Sequence, residues 1–304
     1  MAGDQQNPKR SVYAALAANS AIFVAKSAAA VISGSSAMLA EALHSLADTG
    51  NQALLLLGLR RAAKPPDEQH PFGHGKERFF WTFVVAMSLF SLGAAFSIFH
   101  GIEGIVKGHE VPDPTVALIV LVLSAVFEGS AFRTAWGQFS AKRGDRSVPQ
   151  ALEEAKDPEV LTVIGEDSAA LSGIAVAIAG LLLSHFTGEA AFDSAASIGI
   201  GVILAVVAFL LAREMLNLLL GEAASEPVRQ TIVAVTERFD DVDHIVDLRT
   251  MHIGPADLLV AMDVLFRDGL DTDAIEAAID RIEGAIREAV PEARAIFVEP
   301  ETPD

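Results

Sequence analysis

The sequence predicts an all-α transmembrane domain of six helices, followed by a separate cytoplasmic α+β domain. Hydrophobic residues make up 51% of the 304 residues, and the mean hydropathy is +0.40. This is too apolar for an ordinary soluble domain. The apolar residues gather into six stretches that are long enough to cross a bilayer. After Gly221 the chain becomes charged and amphipathic, which is typical of soluble helices and strands.

Each apolar stretch is roughly 20 residues long, the length that a membrane-spanning helix needs. The stretches lie near residues 12–33, 37–59, 80–105, 114–136, 160–184 and 191–216. We therefore expect a transmembrane domain over residues 11–220, preceded by a short cytoplasmic segment, residues 1–10. That segment has no small-residue cleavage site before the first apolar stretch, so we expect no removable signal peptide. The chain has no cysteine, which excludes disulfides and thiolate metal sites.

Lysine and arginine are distributed unequally between the two sets of loops. One set carries Lys9, Arg10, Arg60, Arg61, Lys64, Lys76, Arg78, Lys142, Arg143, Arg146 and Lys156. The loops on the other side carry only Lys107. Because positively charged loops stay in the cytoplasm, we expect both termini there. The expected location is integral and multi-pass, in a bacterial plasma membrane.

The C-terminal part, residues 221–304, has the pattern of a small α+β domain. Helices are predicted over 226–238 and 272–290, and strands over 242–252, 257–267 and 293–299. The strands alternate apolar and polar residues, and Asp271 or Thr272 is a good N-cap for the second helix. This αββαβ order predicts a ferredoxin-like sandwich with its helices on one sheet face. From Glu222 onward there are 20 acidic and 7 basic residues, so this domain carries 13 of the 18 net negative charges and is expected in water.

The predicted second helix carries ionisable side chains within "EALHSLADTGNQ". An ionisable group at membrane depth costs several kcal/mol, so it is a candidate functional residue. His44 and Asp48 are four residues apart and therefore share one helix face, which Gln52 continues. Glu41 lies one turn earlier on an adjoining face.

The predicted fifth helix adds two carboxylates, Glu166 and Asp167, about one turn from its start. If the two helices converge, an imidazole and several carboxylates meet in a site that suits Zn²⁺ and tolerates Co²⁺, Mn²⁺ or Fe²⁺. A proton site would use the same groups. The alternative is an ordinary hydrogen bond between helices, which is common for a single intramembrane His or Asp. Lys26 and Glu128 are interpreted as a structural pair that neutralises itself.

A second cluster follows the second helix, in "PPDEQHPFGHGKERF". Asp67, His70, His74 and Glu77 fall within eleven residues, and the proline and glycine residues predict a fixed turn. This cluster is a candidate metal site, either for loading or for a structural ion. The alternative is a solvated loop whose basic residues only set the membrane topology.

These segments resemble a known family. "SGSSAMLAEALHSLADTGNQALLLLGL" followed by "HPFGHGKERF" is similar to the cation diffusion facilitators, which exchange divalent metal ions for protons. "EDSAALSG" and "FDSAASIGIG" resemble most the branch of zinc transporter nine. The resemblance implies a transporter rather than an enzyme, with Zn²⁺ as the expected ion and Mn²⁺, Fe²⁺ or Co²⁺ as alternatives. It implies export from the cytoplasm by alternating access, with H⁺ as counter-ion and no cofactor.

Carried over to this chain, the resemblance implies a transport site formed by His44, Asp48 and Asp167. Family members usually place His or Asp four residues before the last of these, where this chain has Val163. The site is therefore one ligand short. The candidates to complete it are Glu166, Glu41 and water. Because of this departure, a non-transporting scaffold or partner subunit is a second hypothesis.

The resemblance also bears on the loop and the C-terminal domain. Asp67, His70 and His74 match the family's cytoplasmic loop site. In the C-terminal domain many members bind metal through histidines, where this chain has Val246, Met262 and Phe297; only His244, His252 and scattered carboxylates remain. We therefore expect this domain to form a homodimer without the usual binuclear site. The expected partners are the lipid bilayer, a second copy and divalent ions, but no nucleic acid.

Overall fold

The computed structural model of the protein describes residues 8–108, 110–144, 146–148, 151 and 158–301. Most of the predicted N-terminal segment, residues 1–7, and Lys156 of the predicted fourth-to-fifth connection lie outside these ranges. The chain divides into two compact units. One comprises Met1–Leu57 with Trp81–Glu214, and the other comprises Gly58–Phe80 with Met215–Asp304.

Six spans of helix correspond to the six predicted apolar stretches. They are α1 (Pro8–Ser33), α2 (Ser36–Ala62), α3 (Glu77–Ser88) continued by a π-helical segment (Leu89–Ala95) and α4 (Phe96–Lys107), α5 (Pro114–Arg143), α6 (Pro158–Thr187) and α7 (Ala191–Leu220). The prediction of six helices is therefore confirmed.

Within the described residues, four of these spans are long and apolar enough to cross a membrane by length and composition. They are Glu77–Lys107, Pro114–Ala141, Leu161–Thr187 and Ala191–Leu220. For α1, Asn19–Ser33 forms a shorter apolar helix. The first half of α2 carries Glu41, His44 and Asp48, and these polar side chains lower the hydropathy of that helix.

The interior of the first unit is built from small side chains, which let membrane helices approach closely. Alanines from α1, α2, α5, α6 and α7 share one buried cluster with larger residues such as Met38 and Leu121. Glycines mark the closest approach between α4 and α7. A Cβ at Gly101 would lie 2.6 Å from the carbonyl oxygen of Ser194, and one at Gly201 would lie 2.9 Å from that of Ala94.

The start of α5 illustrates how local sequence sets a helix end. Asp113 is the N-cap residue, and its carboxylate accepts a hydrogen bond of 3.0 Å from the backbone N–H of Thr115. Pro114 takes the first helical position, where its missing N–H costs nothing. The hydrogen bond from Thr115 favours the charged carboxylate, so it lowers the pKa of Asp113.

The C-terminal part of the second unit has the predicted αββαβ order. It runs α8 (Glu226–Thr236), β1 (Val242–Gly254), β2 (Asp257–Phe266), α9 (Thr272–Ala289) and β3 (Ala293–Glu301). The sheet order is β1-β2-β3, with β1 and β2 antiparallel and β2 and β3 parallel. Because parallel neighbours need a crossover, α9 connects β2 to β3. The predicted ferredoxin-like fold class is confirmed, although β1 and β3 each extend two residues further.

One side of the sheet packs against both helices. Along β2, Leu258, Val260, Met262 and Val264 alternate with less buried residues. They share a core with Ile232 of α8 and with the buried stripe of α9, which consists of Ala278, Ile282 and Ile286. Asp271 is the N-cap of α9, where its carboxylate accepts a hydrogen bond of 2.8 Å from the N–H of Ala274. Of the two predicted cap residues, Thr272 instead begins the helix.

The segment Gly58–Phe80, which comprises the end of α2, the following loop and the start of α3, groups with the C-terminal residues rather than with the first unit. The predicted domain boundaries, 11–220 and 221–304, do not include this feature and stay a prediction. The backbone at Gly75 explains the grouping, since a Cβ there would lie 2.5 Å from the carbonyl oxygen of Ile253 in β1.

Candidate metal centres

One face of α2 carries buried polar atoms that lack partners. The Nδ1 of His44 lies 3.5 Å from Oδ1 of Asp48, as the spacing of four residues predicts. His44 is 1% exposed and the side chain of Asp48 is 15% exposed. Both imidazole nitrogens of His44 and Oδ1 of Asp48 are buried without a hydrogen bond. Buried polar atoms are normally paired, so this face can accept a cation, a proton or a water.

The same face continues toward α6 through an amide. Asn51 Nδ2 donates a hydrogen bond of 2.6 Å to Oε1 of Glu166. The oxygens Oδ1 of Asn51 and Oε1 of Gln52 are buried and have no hydrogen-bond partner. Glu166 is therefore held next to α2, and one of its carboxylate oxygens is already engaged by Asn51.

Asp167 contributes a second charge from α6. It is partly buried, and it is among the charged groups that act electrostatically on Asp48. Val163, four residues earlier, is 39% exposed and offers no ligand atom. Among the described intramembrane residues, no three His, Asp or Glu ligand atoms lie within 4.8 Å of one another. In this structure, His44 and Asp48 are thus adjacent, and the carboxylates of Glu166 and Asp167 on α6 interact electrostatically with Asp48.

Glu41 is engaged differently from its neighbours on α2. The Nζ of Lys26 in α1 donates to Oε2 of Glu41 at 3.0 Å, and it also lies 3.6 Å from Oε1 of Glu128 in α5. Lys26 and Glu41 are both fully buried. The predicted pair of Lys26 and Glu128 is therefore a triad in which Glu41 is the closer partner.

The loop residues lie together. Asp67 Oδ1 is 3.2 Å from Nδ1 of His70, and its Oδ2 is 3.0 Å from Nε2 of His74. Ligand atoms of Asp67, His70 and His74 all lie within 4.8 Å of one another. The left-handed conformation of Gly73, with φ of 83°, forms the tight turn that returns His74 to this group. Three such ligands suit a divalent transition metal with a water or another group completing the shell.

The carboxylate of Asp67 is strongly favoured in its charged form. The side chain of His74 hydrogen-bonds to it, and the backbone N–H of His70 donates to Oδ1 at 2.7 Å. These bonds lower the pKa of Asp67 to about 2. Asp67 is therefore ready to bind a cation without first losing a proton.

The loop is fixed to the C-terminal part of its own unit by several contacts. The rings of Phe72 and Phe297 meet edge to face with centroids 6.3 Å apart. The Nζ of Lys76 donates at 3.2 Å to the carbonyl oxygen of Leu219, near the end of α7. Together with the close approach at Gly75, these contacts attach the loop that carries Asp67, His70 and His74 to the C-terminal residues.

The three C-terminal positions at which many family members have metal-binding histidines differ in their surroundings. Val246 and Phe297 are more than half exposed, whereas Met262 is buried in the sheet core. His244 is exposed, and its Nδ1 lies 2.8 Å from Oδ2 of Asp243. His252 is buried on β1.

Three functional contacts were not predicted from the sequence. Asn51 lies three residues after Asp48 and so shares its face, and this spacing was the available signal for its contact with α6. The pairing of Lys26 with Glu41 had a weaker signal, two opposite charges in adjacent spans. No sequence signal indicated the contacts of Asp193, apart from its position in the first turn of α7. Its carboxylate accepts bonds from Ser35 Oγ at 2.5 Å and from the N–H of Ser36 at 2.6 Å.

Comparison with known proteins gives a family. Residues 12–220 match the family model described as the cation efflux transmembrane domain. The chain is 31% identical over 256 residues to metal tolerance protein C4 of Arabidopsis thaliana, covering 83% of this chain and 56% of that protein. It is 32% identical over 251 residues to the mitochondrial proton-coupled zinc antiporter SLC30A9 of Xenopus laevis, covering 82% and 45%. The chain thus spans about half the length of these relatives.

A third relative is the magnetosome protein MamM of Magnetospirillum gryphiswaldense, which is 27% identical over 256 residues, with coverage of 82% and 75%. A solved structure of the MamM C-terminal domain aligns with 26% of this chain at 19% identity and a TM-score of 0.25. The match over 12–220 includes both α2 and α6, the helices that carry His44 and Asp167. This integral membrane protein therefore belongs to the cation diffusion facilitator family.

Proposed function

We propose that this protein carries a divalent transition-metal cation, with Zn²⁺ as the first candidate, out of the cytoplasm in exchange for protons. The ion is held between α2 and α6 by His44, Asp48 and Asp167, and access to this site alternates between the two sides of the membrane. Glu166 or water completes the shell at the place where Val163 offers no ligand. Two of the relatives carry names that fit this proposal, a metal tolerance protein and a proton-coupled zinc antiporter.

The observation that carries the proposal is the set of unpaired atoms on α2. The two nitrogens of His44 and Oδ1 of Asp48 are buried without hydrogen bonds in a helix that also needs to sit in a bilayer. Leaving such atoms unsatisfied costs about 1–3 kcal/mol each, more if charged. A bound cation or proton removes that cost, so the site favours occupation by one or the other.

Proton exchange follows from the same ligands. An imidazole nitrogen and a carboxylate must be deprotonated before they bind a metal, so metal binding releases protons. After the site has released its metal, it takes up protons, which bind the same buried atoms. The alternation of metal and proton at His44 and Asp48 gives antiport without any further group.

The test is transport by purified protein in liposomes that contain a metal-sensing dye. We expect Asp48→Ala and Asp167→Ala to abolish Zn²⁺ uptake while the proteins remain folded. Asp268→Ala, which removes an exposed carboxylate from the C-terminal domain, is the matched control and should transport normally. Normal transport by both Asp48→Ala and Asp167→Ala would place the site elsewhere and refute the proposed mechanism.

A second candidate is a membrane scaffold or partner subunit that does not transport. Two observations favour it: Val163 stands at a ligand position, and no three described intramembrane ligand atoms come within 4.8 Å. The liposome assay separates the two candidates, since a scaffold gives no uptake of Zn²⁺, Mn²⁺, Fe²⁺ or Co²⁺ by the native chain.

For the loop, we propose that Asp67, His70 and His74 bind a metal ion that fixes the loop or loads the transport site.

A further inference from the structure

The first unit contains a second pair of carboxylates that the proposed transport step does not use. They are Glu41 on α2 and Glu128 on α5, with the ammonium group of Lys26 between them. We propose that Lys26 is a built-in cation that fills a potential divalent-ion site between Glu41 and Glu128 and so excludes metal from it. Lys26 thereby limits this unit to the single ion at His44 and Asp48.

The geometry resembles a cation between two anionic ligands. The Nζ of Lys26 lies 3.0 Å from Oε2 of Glu41 and 3.6 Å from Oε1 of Glu128. The two carboxylates come from different helices and both lie within 4 Å of the same ammonium nitrogen. Lys26 reaches that point from a third helix, α1, and is fully buried.

The pair is not fully satisfied by the lysine. One ammonium supplies a single positive charge to two carboxylates, which leaves one negative charge uncompensated when all three groups are ionised. Oε1 of Glu41 is buried and has no hydrogen-bond partner. The cluster therefore keeps the charge and the free oxygen that a divalent cation would use, and the lysine occupies the central position.

The packing around Glu41 supports a shaped site. A Cβ at Gly173 of α6 would overlap Oε1 of Glu41, so the glycine provides the space for this carboxylate. The α6 backbone therefore lies close to Oε1 of Glu41, whereas Lys26 bonds to Oε2.

Removing Lys26 should convert the pair into a metal site. Breaking a buried ion pair on one side leaves uncompensated charge, which is strongly unfavourable. Without the ammonium group, the two carboxylates can regain a neutralising cation by binding Zn²⁺ or Mn²⁺, both of which accept oxygen ligands. Arginine at the same position keeps the positive charge and should keep the site closed.

The inference rests on the proposed function in one respect, namely that His44 and Asp48 bind the native ion. The experiment counts bound Zn²⁺ by elemental analysis after equilibrium dialysis, with full-length protein in lipid nanodiscs. All variants carry His70→Ala and His74→Ala, which removes the loop site from the count. We expect Lys26→Met to bind one more Zn²⁺ per chain than the parent, and Lys26→Arg to bind the same number as the parent.

The matched control is Lys26→Met with Glu41→Gln, which preserves the net charge of the cluster but leaves a single carboxylate. This variant should lose the additional ion. A folded Lys26→Met protein without an additional ion overturns the inference. If Lys26→Met does not fold, Glu128→Gln alone decides, since Glu128 is part-exposed and its loss leaves the Lys26–Glu41 pair intact. Glu128→Gln should not change the count, and loss of an ion would show that Glu128 is itself a native ligand.

Asp48→Ala in the same background separates this inference from the proposed function. If that variant loses no Zn²⁺, the proposed transport site is wrong, while the result for Lys26→Met still stands or falls on its own.

Discussion

The carboxylate of Asp193, in the first turn of α7, accepts a hydrogen bond of 2.6 Å from the backbone N–H of Ser36, the first residue of α2. It also accepts a bond of 2.5 Å from Ser35 Oγ, which in turn accepts from the N–H of Met38. One helix thus supplies the anionic cap for the positive end of another. Because α2 carries His44 and Asp48, this cap fixes the helix on which the proposed transport site lies.

Asp193→Ala should destabilise the protein by about 0.5–2 kcal/mol, the usual range for loss of an N-cap side chain. Asp193→Asn should have a smaller effect, because an amide has one carbonyl oxygen and can keep one of the two bonds. Thermal unfolding of the purified protein in detergent measures both. Equal melting temperatures for the native protein and Asp193→Ala would show that the cap contributes nothing.

The loop site should keep its charged carboxylate over a wide pH range. The pKa of Asp67 is lowered to about 2 from an ordinary value of 3.8. Its contribution to loop stability is therefore complete above pH 3.8 and is lost as the pH falls toward 2. Between pH 4 and 8 Asp67 stays ionised, so its carboxylate is available to a metal ion throughout this range.

Calorimetric titration with Zn²⁺ measures metal binding at the loop directly. Asp67→Asn should weaken binding at the loop, because it removes that charged carboxylate. His70→Ala with His74→Ala should lower the metal stoichiometry while transport through the intramembrane site continues. An unchanged stoichiometry would instead favour a solvated loop without a metal.

Substitutions at the glycines between α4 and α7 should be costly. A Cβ at Gly101 would lie 2.6 Å from a backbone oxygen, so Gly101→Ala forces two helix backbones apart. Overpacking of this kind costs about 1–3 kcal/mol. Gly137→Ala in α5 is the control, since nothing lies within 4 Å of a Cβ there. Scanning fluorimetry should show a lower melting temperature for Gly101→Ala only; a similar result for both would contradict the close packing of the α4–α7 interface.

Glu166→Gln tests the missing ligand of the proposed transport site. If Glu166 binds the metal, the amide should reduce Zn²⁺ transport at least 10-fold, since changes outside the ligand shell alone cost 10–100-fold in affinity. Asn51→Ala, which removes the donor to Glu166 without touching a ligand, is the companion variant. Native rates for Glu166→Gln would leave water or Glu41 as the fourth ligand; Glu41 bonds to Lys26 through Oε2 only.

The C-terminal domain is expected to hold two copies together by its own packing. Mass photometry of the protein in detergent should show a dimer, and addition of a chelator should not dissociate it. Dissociation on chelation would mean that a bound metal bridges the two copies.

Local patterns predicted most of the fold. Apolar length placed the six spans, alternation placed β1 and β2, and the N-cap chemistry of Asp271 placed the start of α9 within one residue. These features depend on residues that are close together in the sequence, so a single sequence is enough to predict them. The spacing of His44 and Asp48 belongs to the same class, because both residues lie on one helix face.

Contacts between helices were harder to predict. The pairing of Lys26 with Glu41, and not with Glu128 alone, depends on the depth and rotation of α1, which no local pattern sets. The bond between Asn51 and Glu166 depends in the same way on how α2 faces α6. The grouping of segment 58–80 with the C-terminal residues includes a close backbone approach at Gly75, which is visible only when β1 lies against it.

The π-helical segment Leu89–Ala95 sets the rotational phase of α4 relative to α3. A π-turn takes about one residue more than an α-turn, and each residue of an α-helix advances the face by about 100°. The segment therefore helps to set the face on which Gly101 meets Ser194. Deleting a single residue from the segment would turn the glycine away from α7, whereas apolar substitutions within it would preserve the phase. The third span is consequently more sensitive to a change in its length than to a change in its composition.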